Sequence, residues 1–231
     1  MRRSLSFLLA IAGVMATTAC RAEPNFPLGQ AAGAGDLAQV RTILENGTDP
    51  DDTGDGGWRA LVWALRQFRP NTLRALLAAG ADPDAPDSGH NGWIPLMHAI
   101  HTRQSEDTPA ARLNGMRVLL NAGADPNAAD RHGTTPLIMA AAYGATDMVD
   151  LLLEAGADPR HQTPSGDTAL RAAVTGATDI DHFTLGQCQT ATVEAILARA
   201  PDMRLGVRFE DRLALRLARW RGCRDVIRLL T

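Results

Sequence analysis

The residues through which this chain could do covalent, metal or acid–base chemistry are few and scattered. They are three cysteines, six histidines and four Asp-Pro dipeptides, at Asp49, Asp82, Asp125 and Asp158. Asp179, Asp181 and His182 offer two carboxylates and an imidazole, a combination that a divalent metal could use. Two short carboxylates and one histidine with no further geometric support do not make a metal centre, and none is expected. His132 and His161 could act as general bases only beside a nucleophile. No nucleophile elbow, glycine-rich phosphate loop or zinc helix motif occurs in the sequence. The histidines read as surface polar residues, and the chain reads as non-catalytic, without metal or cofactor.

The elements that must position these residues announce themselves by repetition. Leu76-Leu77-Ala78-Ala79-Gly80-Ala81-Asp82-Pro83 returns as Leu119-Leu120-Asn121-Ala122-Gly123-Ala124-Asp125-Pro126. It returns again as Leu152-Leu153-Glu154-Ala155-Gly156-Ala157-Asp158-Pro159. With looser copies at Ile43-Leu44, Ile196-Leu197 and Leu229-Leu230, successive apolar pairs are 33, 43, 33, 44 and 33 residues apart. A fixed period of this size is the mark of a stacked array, in which each unit buries its apolar face against its neighbours. The functional question becomes which partner is bound, not which reaction is run.

Each apolar pair follows a second recurring phrase. Gly133-Thr134-Thr135-Pro136-Leu137 leads to Ala140-Ala141, Gly144, Leu152-Leu153 and Gly156. Thr135 can cap a helix, Pro136 can occupy its first turn, and Gly156 can end the second helix in the left-handed region. Gly57-Trp58-Arg59-Ala60-Leu61, Gly92-Trp93-Ile94-Pro95-Leu96 and Gly166-Asp167-Thr168-Ala169-Leu170 are further copies. The pattern resembles the ankyrin repeat, and the resemblance implies an all-α solenoid of about six stacked helix–turn–helix units with short hairpin fingers. The units fall at about 24–52, 53–86, 87–129, 130–162, 163–206 and 207–231, so the repeats fill 24–231. The third and fifth carry insertions, near 102–111 and 178–188, both between the first and second helix. Thr108-Pro109 reads as the cap and first position of a lengthened second helix in the third repeat.

Composition narrows the partner. Net charge is −3, with 23 basic residues, all arginine, against 26 acidic ones, which gives no electrostatic footprint for nucleic acid. The stretch from Arg199 onward is locally basic and reads as a solvated arginine face or a binding patch. Residues 1–19 read as a signal segment: Arg2-Arg3 precede an apolar run that is too short to span a bilayer, which takes about 20 residues. Thr17-Thr18-Ala19-Cys20 resembles a bacterial lipobox, although Thr17 stands where that motif usually has leucine. Cys20 would carry the lipid anchor and 20–23 a short linker, with Arg21 directing the protein to the outer membrane of a Gram-negative bacterium. Ordinary cleavage after Ala19 or Ala22 is the competing reading. Either way the expected location is the periplasm, where Cys188 and Cys223 could pair as a disulfide across adjacent repeats. The alternative is two unpaired small core residues.

In ankyrin repeats the residue after the finger glycine varies and points toward bound partners. Here it is Trp58, Trp93, Thr134 and Asp167, and the two tryptophans are the candidate hot spot. Alternatively, each tryptophan only covers its own finger. Trp63 and Trp220 lie on first helices and are expected to be packed. The resemblance implies a protein–protein interaction module; with the N-terminal signal, the chain is expected to be a monomeric scaffold or adaptor held in the cell envelope. An immunity-type inhibitor that neutralises a toxic periplasmic enzyme is the alternative.

Overall fold

The computed structural model describes residues 26–54, 56–88, 90–101, 109–176, 188–203, 205 and 209–230. The signal segment, Cys20, Thr108 and the Asp179, Asp181 and His182 cluster lie outside the described residues.

Twelve α-helices follow one another as six helix–turn–helix pairs among the described residues. They are α1 Pro27–Ala34 and α2 Leu37–Glu45, α3 Ala60–Arg66 and α4 Pro70–Ala78, α5 Pro95–His101 and α6 Pro109–Asn121. There follow α7 Pro136–Ala142 and α8 Thr146–Glu154, α9 Ala169–Thr175 and α10 Thr190–Arg199, α11 Phe209–Trp220 and α12 Arg224–Leu230. Among the described residues there is no strand, only an isolated bridge between Thr53 and Arg59. No described helix is long and apolar enough to cross a membrane.

Helices of seven to thirteen residues are too short to stand alone in water, so lateral packing must hold them. First helices pack on first helices in the order α1, α3, α5, α7, α9, α11, and second helices on second helices from α2 to α12. The leucine that opens each first helix is the central knob: Leu61, Leu96, Leu137 and Leu170 are wholly buried. Of each recurring apolar pair the first member, Leu76, Leu119 or Leu152, is wholly buried, while Leu77 and Leu120 are only partly covered. The result is one continuous core from Phe26 to Leu230.

Local chemistry sets the ends of the helices. Thr135 and Thr168 accept hydrogen bonds from Ile138 and Arg171 N–H through their hydroxyls, at 3.4 and 3.2 Å, and so cap α7 and α9. The stop after the second helix is the same glycine each time, with φ of 96° at Gly80, 95° at Gly123 and 94° at Gly156. Gly35 and Gly144 turn first helix into second at positive φ, yet Phe68 makes the same turn between α3 and α4 at φ 54°, a strained place for a bulky residue. The helix α6 begins at Pro109 and runs for 13 residues, against nine for α4 and α8.

A ladder of carboxylates stitches the finger side together. Asp82 N–H donates to Asp51, Asp125 N–H to Asp84, and Asp158 N–H to Asn127 Oδ1. Burial pushes the Asp84 carboxyl above its ordinary range; the bond from Asp125 N–H opposes this, and the charges of Asp82 and Asp125 add to it. A raised folded pKa means that Asp84 favours the fold most below about pH 4, its unfolded range, and that this contribution is lost as pH rises through the folded value. Asp84→Asn, which installs the residue found at the same place in the next repeat, keeps an acceptor and removes the charge. It should raise the melting temperature by about 1–2 °C at pH 7. Thermal scans across pH check this, because the gain must vanish in acid.

At the far end Cys188 and Cys223 are joined, with their Cα atoms 5.4 Å apart, bridging the start of α10 to the turn before α12. Trp220 corrects the sequence expectation: it is 84% exposed, not packed. Ala214, Leu215 and Ala218 form the buried stripe of α11, and helical periodicity puts Trp220 on the opposite side.

Candidate partner-binding face

The four positions expected to meet a partner sit at the same point of successive fingers, and each finger closes through the same backbone bond. Gly54 N–H donates to the Trp58 carbonyl, Asp87 to Trp93, Asp130 to Thr134 and Thr163 to Asp167, at 3.3, 2.9, 3.0 and 3.0 Å. All four side chains are half-buried, so none is fully covered by its own finger.

The tryptophans are members of a longer row of rings. Trp58 lies 5.2 Å from Trp63 and 5.9 Å from His98, and Trp93 lies 5.6 Å from His98 and 4.9 Å from His101. His101 continues the row to Tyr143 at 5.9 Å. Edge and tilted contacts of this kind favour ordered rings. Arg66 places its guanidinium 4.6 Å from the Trp58 centroid, a cation–π contact made within the protein. Trp63, expected to be packed, is half-buried and belongs to this row.

Beneath the row lies a pair that the sequence reading missed. His98 Nε2 is 2.6 Å from Asp87 Oδ2, with side chains 0% and 1% exposed. In the neighbouring fingers the corresponding residue folds back on its own turn. Asp130 Oδ1 accepts from His132 and Thr134 N–H, and Thr163 Oγ1 accepts from Asp167 N–H. The finger from Asp87 to Trp93 is two residues longer than those from Asp130 to Thr134 and from Thr163 to Asp167, and the Asp87 carboxylate turns inward onto α5 instead. The only available signal was a histidine at a core-facing phase of a short helix, which demands a buried partner. His161, expected at the surface, is half-buried and ties its finger to the Gly133 carbonyl at 2.9 Å.

Beyond Trp93 the face opens into a groove of about 650 Å³. Trp93 and Tyr143 stand in its lining, Ile138, Met139 and Ala142 supply apolar surface, and Thr134, Asp130 and Asp167 contribute polar edges. Three of the four expected contact positions thus share one hollow, while Trp58 stands one repeat away. Burial works against the Asp167 carboxylate, but the Ser165 hydroxyl and the Arg171 guanidinium outweigh it and hold Asp167 below the usual carboxylate range. No group of three metal-ligating side chains converges among the described residues.

Three overlapping copies of the family model for ankyrin repeats match residues 28–130, 70–163 and 108–185. The chain belongs to the ankyrin-repeat family. An ankyrin repeat domain from Acinetobacter baumannii superposes with a TM-score of 0.70 at 29% identity, covering 88% of this chain and 95% of that one. The chain is also similar to the E3 ubiquitin-protein ligase KEG of Arabidopsis thaliana, 36% identical over 139 residues. With the mouse ankyrin repeat and SOCS box protein 16 it is 39% identical over 151 residues. These matches cover 59% and 65% of this chain but only 7% and 31% of the relatives, so the shared part is the repeat array. The ankyrin array is a protein–protein interaction module, built here as an all-helical solenoid.

Proposed function

We propose that this ankyrin protein is a non-catalytic scaffold or adaptor of the bacterial cell envelope. It would be exported, tethered at Cys20 and bind another protein through its concave face. The observation that carries the contact assignment is the row of rings from Trp63 to Tyr143, which leads into the open groove beside Trp93. A row locked by mutual ring contacts and by the buried Asp87–His98 pair presents its surface already ordered, so binding loses little side-chain entropy. Tryptophan and tyrosine side chains are the residues most often dominant in interface energy.

The test is an envelope crosslinking pull-down comparing the native protein with a folded Trp58→Ala/Trp93→Ala variant. A partner captured by the native chain should be lost from the variant, with affinity reduced at least ~30-fold, because each hot-spot tryptophan contributes about 2 kcal/mol or more. Undiminished capture by the variant would place the contact elsewhere. The nature of the captured protein separates the roles: a resident envelope protein fits a scaffold, and a toxic enzyme bound very tightly fits an immunity-type inhibitor.

A further inference from the structure

The groove has a charge and a shape that specify what enters it, an inference that rests on the concave face being the contact surface. Five residues after the buried leucine of each first helix stand Arg66, His101, Ala142 and Thr175 in successive repeats. Arg66 covers the Trp58 ring and His101 packs against Trp93. At Ala142 the covering side chain shrinks to a methyl group, and there the hollow opens. The first ring is therefore capped by the protein's own cation, the second by an imidazole, and the equivalent place in the next repeat carries only a methyl group at the edge of the groove.

The electrostatics favour a cation. Asp130 and Asp167 line the groove and no arginine among the described residues does; Asp167 is already paired with Arg171, so the charge not yet met by a guanidinium is that of Asp130. The arginines are concentrated elsewhere: residues 199–231 hold nine against four acids, which leaves 14 against 22 in the rest of the chain. Asp130 accepts its two finger bonds through Oδ1 alone. Asp167, kept ionised, bonds Ser165 through Oδ2 and Arg171 through Oδ1. A carboxylate has about four acceptor sites, so both groups retain capacity for a further donor.

We propose that the groove binds a partner segment carrying an arginine or lysine flanked by apolar residues. The cation is directed at Asp130 and Asp167, and the aliphatic stem lies over Ile138, Met139 and the edge of Trp93. Arginine suits this place best, because its planar head can meet a carboxylate while its stem lies on apolar surface.

A random dodecapeptide library displayed on phage and panned on the whole folded protein tests the proposal. Enriched peptides should carry arginine or lysine beside leucine, isoleucine or aromatic residues. Their synthetic copies, measured by fluorescence polarisation, should bind Asp130→Asn/Asp167→Asn at least ~10-fold more weakly than the native chain, and more weakly as salt rises. At position 130 asparagine keeps the Oδ1 that accepts from the finger N–H groups. At 167 it keeps one acceptor but removes the charge paired with Arg171, so circular dichroism and a thermal melt verify the fold. If the double variant is unfolded, the peptide's own Arg→Gln copy on native protein reads the same interaction. Peptides that are acidic or uncharged, a library without enriched peptides, or binding unaffected by loss of either aspartate charge or peptide charge would overturn the proposal. Peptides that lose binding to Trp93→Ala but keep it on the aspartate variant would remove the cation and leave the concave face standing. Indifference to both variants would remove the face as well.

Discussion

Asp87→Ala should lower the free energy of unfolding by about 2–4 kcal/mol, a large effect for a residue in a surface finger. The carboxylate and the His98 imidazole are both almost wholly buried and meet at 2.6 Å. Removing one partner leaves a buried ring nitrogen without the acceptor it was desolvated for, and it leaves a void where the carboxylate stood. Two further variants separate the causes. Asp87→Asn keeps one acceptor oxygen and should lose less. Asp87→Ala/His98→Met, which installs at position 98 the residue that α7 carries at its equivalent, Met139, should recover most of the loss, since an apolar pair needs no partner. Urea unfolding followed by tryptophan fluorescence is the measurement, because Trp58 and Trp93 both lie within 6 Å of His98, at 5.9 and 5.6 Å between ring centroids. A loss in Asp87→Ala that the double variant does not recover would mean that the finger, not the pair, carries the energy.

Breaking the Cys188–Cys223 link, by reduction or by Cys188→Ser/Cys223→Ser, should lower stability by about 3–4 kcal/mol, with the effect concentrated in the last repeat. The bridge closes a loop with a sequence separation of 35, and that loop contains α10 and α11. In a solenoid an end unit has one neighbour instead of two, so it frays before the centre and depends most on a covalent tie. The sequence of that unit lacks the Thr-Pro-Leu phrase, and its first helix buries only Ala214, Leu215 and Ala218 among the residues from 211 to 220. Trypsin offers a direct reading, because α11 and α12 are rich in arginine. The oxidised protein should resist cleavage there, and the reduced protein should release the last repeat first. Two titratable thiols in the oxidised, denatured protein after Cys20 is blocked, or a melting curve unmoved by reductant, would sink this expectation.

How much was legible beforehand differs between scaffold and site. Thr135, Thr168 and Gly156 act within one or two turns of themselves, so their roles as caps and stops can be read from residue type and spacing alone. The same holds for Leu61, Leu96, Leu137 and Leu170, whose burial follows from a repeated phase that every unit obeys. Trp220 defeats that logic because the last repeat departs from the shared phrase, and its stripe had to be read from which side of α11 is covered. His98 is the opposite case. Its neighbours Leu96 and Met97 look ordinary, and its partner Asp87 sits eleven residues away in a finger whose added length is the reason that the carboxylate turns inward.

The sequence by itself determined a stacked array of helix pairs, its caps and its stops, because these depend on short-range chemistry repeated at a fixed period. Only the tertiary structure decided that Trp58, Trp93, His98, His101 and Tyr143 form one row, that Asp87 locks it from beneath, and that Ala142 leaves a groove beside Asp130 and Asp167. Those facts depend on the distance between side chains in different repeats, and repeat spacing gives the direction of a side chain but not what its neighbours leave uncovered.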